Sequence, residues 1–430
     1  MRRPFVGVVA DDITGSGDIG IMFAKHGYAV RIFSAETDLA ALPAHLAGRR
    51  TDVAIVDTDS RMDAPDVARA KVHRATAALR EAGCNLFYKK TCSVFRGNVG
   101  AEFDAMLDEL GESFGVAVAA FPKNGRQTRG GLHYVHGRPL AESEFAKDPV
   151  HPMLESDLTR VMAQQTSRPV ASIGLDVIRG GVRIREAAAG ATYALCDTEA
   201  QEDLTAIAAA VAGERVLLGS SALAEELPGV WSPPDPFDPL EGLNLADAGG
   251  VLVLAASVMP QTQAQVAALA EAGALVLTLT GEAALTDPEG AFAGLTAAAA
   301  EALQGGRHVV VRSENWPVAV AATQALGARL GLDRAAVGKR ISTLLARVGE
   351  AVLNTTGSRR LITLGGDTSA AACRQLGITE TVVLQEIAPG LPSSLAPGPR
   401  PLLLVLKSGS FGGPDFGLKA IAHLQSLGHR

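Results

Sequence analysis

Two adjacent carboxylates, Asp11 and Asp12, follow the apolar run FVGVVA directly and precede TGSGDIG. A carboxylate at the carboxyl end of a strand can orient or deprotonate a hydroxyl group. The glycines behind them, Gly15, Gly17 and Gly20, fit G-x-G-x-x-G, with Glu36 after the next apolar run YAVRIF. That pattern alone would mean a nicotinamide-dependent oxidoreductase. The spacing opposes it: in a dinucleotide site the first glycine follows the strand almost at once, whereas here Asp11 to Thr14 intervene. Two carboxylates beside a pyrophosphate would also repel it, by about 4 kcal/mol per pair at ~4 Å and an effective dielectric near 20. One of the two aspartates is expected to cap the turn.

A second chemistry lies in FYKKTCSVFRGNVGAEFDAML, where Lys89, Lys90 and Arg96 sit on one loop entering a helix near Asn98. Arginine grips a carboxylate with two parallel hydrogen bonds, and the helix N-terminus adds partial positive charge. The competing reading has Lys89 and Lys90 in solvent and Arg96 paired with Glu102 or Asp104. FPKNGRQTRGG repeats the basic theme with Lys123, Asn124 and Arg126. His133, His136 and His151 are too irregularly spaced for a metal or triad set, and are expected to be ordinary loop residues.

The third chemistry is a pair of glycine loops far down the chain. LITLGGDTSAAACRQLG places Gly365 and Gly366 before Thr368 and Ser369, which could cap a helix or donate to phosphate. LLLVLKSGSFGGPDF offers Lys407, Ser408, Gly409, Ser410, Gly412 and Gly413, a combination suited to an anion nest. Ser257 ends a third apolar run, and Asp367 is either an acidic metal partner or a helix N-terminal charge. No Walker A motif occurs. Cations for phosphates and an anionic acceptor, with a carboxylate for the attacking hydroxyl, are what phosphoryl transfer requires.

Stepping from residues to elements, short β-branched runs alternate with alanine-rich helical stretches: FVGVVA, YAVRIF, DVAIVD, LFYKK, VAVAAF, TYALCD and RVLLGS, then GVLVLAAS, ALVLTLT, HVVVRS, RLITLGG, TVVLQE and PLLLVLKSG. That alternation predicts an α/β fold with two α/β domains and largely parallel sheets. Between the series, residues 227–250 hold five prolines and no periodicity. The expected division is therefore a domain over 1–230, a proline-rich linker over 231–248 and a second domain over 249–430. A chain of 430 residues exceeds the ~250–300 at which a single core stops growing. A net charge of -7 with no basic run excludes a nucleic-acid footprint. No stretch approaches the ~20 apolar residues of a membrane span, and no signal peptide opens the chain, so a soluble cytoplasmic protein is expected. Four scattered cysteines fit reduced thiols, and the 47% hydrophobic content is compatible with a homodimer.

With these motifs in order, the chain resembles the four-carbon acid sugar kinases, which phosphorylate the terminal hydroxyl of threonate, erythronate or 3-oxo-tetronate with ATP. ADDITGSGDIG is similar to the family's A-D-D-x-T-G-x-x-D opening, and RGNVGAE to its R-G-N-x-G-A-E block. Pro122, Asn124, Gly125 and Arg126, continuing to HPMLESDL, resemble its P-x-N-G-R region. GGDTSAAA and LKSGSFGGPDF resemble its two nucleotide loops. The resemblance implies a sugar-acid-binding N-terminal domain and an ATP-binding C-terminal domain, with chemistry in the cleft between them. It implies Asp11, Asp12 and Arg96 in acceptor binding or catalysis, and Ser257, Gly365, Gly366, Asp367, Thr368 and Gly409 or Gly412 at ATP.

The chain departs from the family in two places. Members read K-[IV]-D-S-T-x-R-G where this chain has KTCSVFRG, with Cys92 for the acid and Val94 for the threonine, and AASVMP retains only Ser257 of an S-G-S. The expected enzyme is an ATP- and Mg²⁺-dependent kinase of a small sugar acid. Its acceptor side comprises Asp11, Lys89, Ser93, Arg96, Gly97, Asn98, Asn124 and Arg126, and Asp12 is favoured over Asp11 as base. Its nucleotide side adds Lys407 and Ser408 to the loop residues above. No metal ligands are assigned. The alternatives are the nicotinamide oxidoreductase and a non-catalytic sugar-acid sensor.

Overall fold

Strands of four to six β-branched and aliphatic residues, apolar on both faces, are stable only when helices cover each side of the sheet. The structure, a computed structural model describing residues 3–148, 151–245 and 249–428, builds this arrangement twice. The chain divides into a first unit, Met1–Phe237, and a second, Asp238–Arg430.

In chain order the first unit's main strands are β1 (Val6–Ala10), β2 (Val30–Phe33), β3 (Val53–Asp57), β4 (Leu86–Lys90) and β5 (Gly115–Val118). A hairpin sheet follows as β6 (Arg126–Arg129), β7 (Leu132–Val135) and β8 (Arg138–Pro139), then β9 (Val170–Ile173), β10 (Tyr193–Cys196) and β11 (Val216–Gly219). The main sheet has the order β2-β3-β1-β4-β11-β5-β10-β9, with all its recorded pairs within the unit parallel. Every residue of β1, β3 and β4 is buried. Each fully buried Val, Leu or Ile contributes ~1.5–3 kcal/mol, so this centre is the least deformable part of the unit. Trp231, at the start of the expected linker, stacks instead on Phe23 at 6.3 Å. Arg50 donates to the carbonyls of Asp235 and Pro236 at 2.6 and 3.0 Å, tying the proline stretch to this unit.

The second unit runs β12 (Leu252–Ala255), β13 (Leu275–Leu279), β14 (Val309–Ser313), β15 (Arg360–Leu364), β16 (Glu380–Ala388), β17 (Leu391–Ala396) and β18 (Leu402–Lys407). Its order is β13-β14-β12-β15-β18-β17-β16, parallel except for the antiparallel pairs β16–β17 and β17–β18. The part of the proline-rich stretch at 246–248 lies outside the described residues. Among the described residues no helix is long and apolar enough to cross a membrane. The hairpin β6–β8, β9 and β17 have no counterpart among the runs listed from sequence, because they are short and mixed in polarity.

Candidate active site

Parallel register decides which loops meet. In the first unit Ala10 pairs with Asp57 and with Lys90, and Lys90 pairs with Gly219. The loops after β1, β3, β4 and β11 therefore leave the sheet side by side, where ligands of open α/β sheets bind.

Asp12 caps the helix Ile13–Ala24, accepting from the Gly15 backbone N–H at 2.8 Å. The cap and the favoured base are thus one residue. The glycines of the apparent dinucleotide motif lie inside this helix, buried, and not in a turn before it. Gly15 has a local reason to be glycine: a Cβ there would stand 2.4 Å from Asp12 Oδ1 and 3.2 Å from Lys90 Nζ. Asp12 Oδ2 accepts from Thr14 Oγ1 at 2.9 Å and from Arg61 Nη1 at 2.7 Å. Arg61 also donates twice to Asp11, through Nε at 2.9 Å and Nη2 at 2.8 Å. Burial pushes Asp11 up, but Arg61, Lys89 and Lys90 outweigh it and hold the carboxyl down at about 2. Only Asp12 meets solvent appreciably: its side chain is 19% exposed against 1% for Asp11.

The basic loop is less free than its composition implies. Lys89 and Lys90 are buried, not solvated. Lys89 Nζ pairs with Glu102 Oε2 at 2.9 Å and Lys90 Nζ with Asp18 Oδ2 at 3.3 Å. Asp18 also accepts from Ser221 Oγ at 2.7 Å, and burial raises its carboxyl. Asn98 caps no backbone N–H with its side chain. Its amide donates to the Ser60 and Asp63 carbonyls at 3.2 and 2.9 Å, locking the loop that carries Arg61. Arg96 pairs with Asp148 at 2.6 Å, and not with Glu102 or Asp104. Glu102 takes Lys89, and Asp104 takes Tyr193 and Thr166.

Arg96 and Arg126 both pack on the Phe145 ring, with guanidinium carbons 5.4 and 6.0 Å from its centroid. Cys92 lies beside Arg96 and Arg61; burial pushes its thiol up, and the two guanidiniums more than reverse the effect. Ser93 and Asn124 are partly exposed on these loops, and Gly97 packs on Arg61. Val94 is fully buried in the hydrophobic core. His133 departs from the loop expectation: it lies fully buried on β7, bonded to Thr128 Oγ1 at 3.0 Å, and burial pulls it down to about 3. His136 packs on the turn at Gly125, donating its backbone N–H to the Gly125 carbonyl at 2.7 Å.

In the second unit Ala255 pairs with Leu364, and Leu364 with Lys407, so the loops after β12, β15 and β18 converge. Here backbone replaces charge. A Cβ on Gly365 would lie 2.9 Å from Thr368 Oγ1 and 3.1 Å from Ser257 Cβ, and its φ of +137° suits glycine alone. A Cβ on Gly409 would stand 2.3 Å from Ser257 Oγ. Gly366 faces open space, with exposed Asp367 next to it in the first turn of the helix Gly366–Gln375. That helix has no side-chain N-cap, and a helix N-terminus suits an anion.

Lys407 does not present its ammonium to a ligand. Fully buried, it donates to the carbonyls of Ser408, Gly409 and Phe411 at 2.6, 3.1 and 3.0 Å, and burial pulls its amine down to about 7. Gln265 donates to the carbonyls of Phe411, Gly412 and Gly413, each at 3.1 Å, and Thr262 to that of Gly409. The glycine loop is therefore held from beneath. Neither glutamine nor threonine stands out in the sequence, and Arg61 was legible only as the end of the loop after DVAIVD.

Two parallel α/β units, one rich in paired carboxylates and guanidiniums and the other in glycine loops at a helix N-terminus, define the class of two-domain small-molecule kinases. The comparisons place the chain within that class. Residues 6–227 match the sugar-binding N-terminal domain model and residues 252–416 the nucleotide-binding C-terminal domain model. The chain is 34% identical to a 3-oxo-tetronate kinase of Pseudomonas fluorescens, over 98% of this chain and 97% of that one. It is 31% identical to a D-threonate kinase of Salmonella typhimurium, over 98% of each. A solved Haemophilus influenzae protein superposes with a TM-score of 0.72 at 30% identity, over 97% of this chain and all of that one. The chain belongs to the four-carbon acid sugar kinase family and is a phosphotransferase acting on a hydroxyl group.

Proposed function

We propose that the enzyme transfers the γ-phosphoryl group of ATP to the terminal (4-) hydroxyl of a four-carbon sugar acid: D-threonate, D-erythronate or 3-oxo-tetronate. The observation that carries the reading is the pair Arg96 and Arg126 at one Phe145 ring, in the same unit as the Asp11–Asp12 pair. Two guanidiniums match a substrate carboxylate, and Asn124 and Ser93 supply neutral partners for hydroxyls. Asp12, the more exposed aspartate, orients the attacking hydroxyl and accepts its proton at Oδ2 as the bond to phosphorus forms and ADP departs. On the nucleotide side the N-terminus of the helix Gly366–Gln375 receives phosphate oxygens. Ser257, Thr368, Ser408, Gly409 and Gly412 line the same convergence of loops, and Lys407 shapes that loop from within.

Among the described residues no group of three or more His, Cys, Asp or Glu side chains gathers into a metal site. Magnesium is held by one or two carboxylates plus substrate phosphates. Asp367, exposed beside open Gly366, meets that requirement. The ion would neutralise charge on the phosphate oxygens.

A coupled assay of ADP release with ATP and Mg²⁺, run over both hands of threonate and erythronate and over 3-oxo-tetronate, tests the reading. Turnover of at least one acid is expected, and Asp12→Asn should lower kcat by about 10²–10⁴-fold. No ADP release with any of these acids would overturn it.

A further inference from the structure

We propose that Arg61 is a positioning residue of the phosphoryl-transfer site: a single guanidinium clamps Asp11 and Asp12, so that Asp12 offers its Oδ2 to the acceptor hydroxyl in one orientation. The proposal rests on the reading above. Its basis is geometric: three different nitrogens of one side chain bond two adjacent carboxylates at 2.7–2.9 Å.

The clamp is itself fixed from three sides. The backbone N–H groups of Ser60 and Arg61 donate to the Asp11 carbonyl at 3.1 and 3.3 Å, joining the ends of β3 and β1. Asn98 holds Ser60 and Asp63 from the loop after β4. Gly97, at φ +96°, lies so close that a Cβ would stand 3.0 Å from Arg61 Cγ and 3.2 Å from the Arg61 carbonyl. The Arg61 side chain is 13% exposed, little enough for its bonds to the carboxylates to be only weakly screened.

Charge bookkeeping shows why the site needs this cation. Facing Asp11 are Lys89 and Lys90 from β4, Asp57 from β3 and Glu102 from the helix Val99–Leu110; Asp18 faces Asp12, and Cys92 faces Arg61. Lys89 is paired with Glu102 and Lys90 with Asp18. Among the described residues Arg61 alone bonds both aspartates, which would otherwise repel across adjacent residues and drive one of them to take a proton. With the clamp, Asp11 is held in its ionised form, and one guanidinium between two carboxyl groups leaves a carboxylate oxygen of Asp12 for the hydroxyl proton.

Full-length wild type, Arg61→Lys and Arg61→Met separate this role from its rivals. Arg61→Met should lower kcat by about 10²-fold or more while KM for the acid stays within about threefold, the pattern of a group acting through another. Its acid limb should move up by about one pH unit or more, and Arg61→Lys should return the limb towards wild type. A second arm needs no turnover. Asp11 sits below its unfolded value, so its stabilisation is present above about pH 4 and is lost as pH falls towards 2. Without the guanidinium, burial raises the group and that contribution reverses. The Tm gap between wild type and Arg61→Met should thus be full at pH 7 and close below about pH 4. Arg61→Lys supplies the same comparison should the methionine variant not fold.

A rise of about tenfold or more in KM with kcat intact would show Arg61 gripping the acceptor itself, and would overturn the proposal. An unmoved acid limb together with parallel Tm–pH curves would overturn it equally. If wild type turned over none of the acids, the substrate reading would fall while the Tm arm still decided the clamp.

Discussion

In the first unit side chains hold side chains: Asp11 and Asp12 on Arg61, Lys89 on Glu102, Lys90 on Asp18, Arg96 on Asp148. In the second, side chains hold backbone: Lys407, Gln265 and Thr262 donate to seven carbonyl contacts along one glycine loop. The difference follows from what each must recognise. A small chiral acid is distinguished by individually placed hydrogen bonds, which need side chains in fixed rotamers, and buried charges are stable only when paired. Phosphate oxygens are served by backbone N–H groups, which any Cβ would obstruct. The first unit should therefore be sensitive to charge and pH, and the second to volume.

The largest expected effect breaks the second arrangement from beneath. Lys407→Met removes one donor from each of three inward-facing carbonyls; Gly409 keeps Thr262 and Phe411 keeps Gln265, so the ~1–3 kcal/mol cost of an unsatisfied buried group falls chiefly on Ser408, with lost packing of the loop added to it. A destabilisation of about 3 kcal/mol and loss of the thermal shift given by ADP are expected, measured by denaturant unfolding and by calorimetry. A variant that kept the full ADP shift would show that the lysine does not organise the loop.

Next comes pH. His133 is held down at about 3, below its ordinary 6.5, so the unfolded chain takes up a proton that the folded one refuses. Its neutral form favours folding above pH 6.5, and that advantage is lost as pH falls towards 3. By pH 5 the loss is about 2 kcal/mol, and His133→Asn should flatten the first unit's unfolding transition over this range. Equal pH dependence in both units would contradict the contrast drawn here.

The smallest effect is a pair of methyl groups. Gly366→Ala projects into open space and should change stability by less than about 1 kcal/mol while raising KM for ATP several-fold. Gly409→Ala, whose Cβ would meet Ser257 Oγ at 2.3 Å, should disturb the loop even without nucleotide. Thermal melts of the two variants, with and without ADP, separate contact with ligand from contact with protein.

The strand-forming runs were legible because most are short apolar segments between helix-favouring ones, as in VGVVA or VLLG. The glycine loops were legible for a related reason: Gly365 and Gly409 are needed where they stand by close neighbours at known strand ends. The acceptor side was readable as a set of charges and not as a set of partners. Arg96 was recognised, but its partner Asp148 lies 52 residues on, in a segment with no periodicity. A lysine among glycines predicts a phosphate ligand at Lys407, but composition does not show the direction of its amine, which points to the carbonyls of its own loop.

What the sequence by itself determined is local: an alternating pattern that makes two α/β units, Asp12 three residues before the N–H it caps, and glycines where a side chain has no room. The first two outcomes depend on neighbours within a turn or two, whose spacing is written in the chain; Gly365 and Gly409 are marked by their loops, but the Ser257 that crowds them is brought there by the fold. The tertiary structure alone decided which charges meet. Parallel register puts the ends of β1, β3 and β4 in line, bringing Arg61 to Asp11 across 50 residues. Burial then makes such pairings matter, since the same charges in water would interact only weakly.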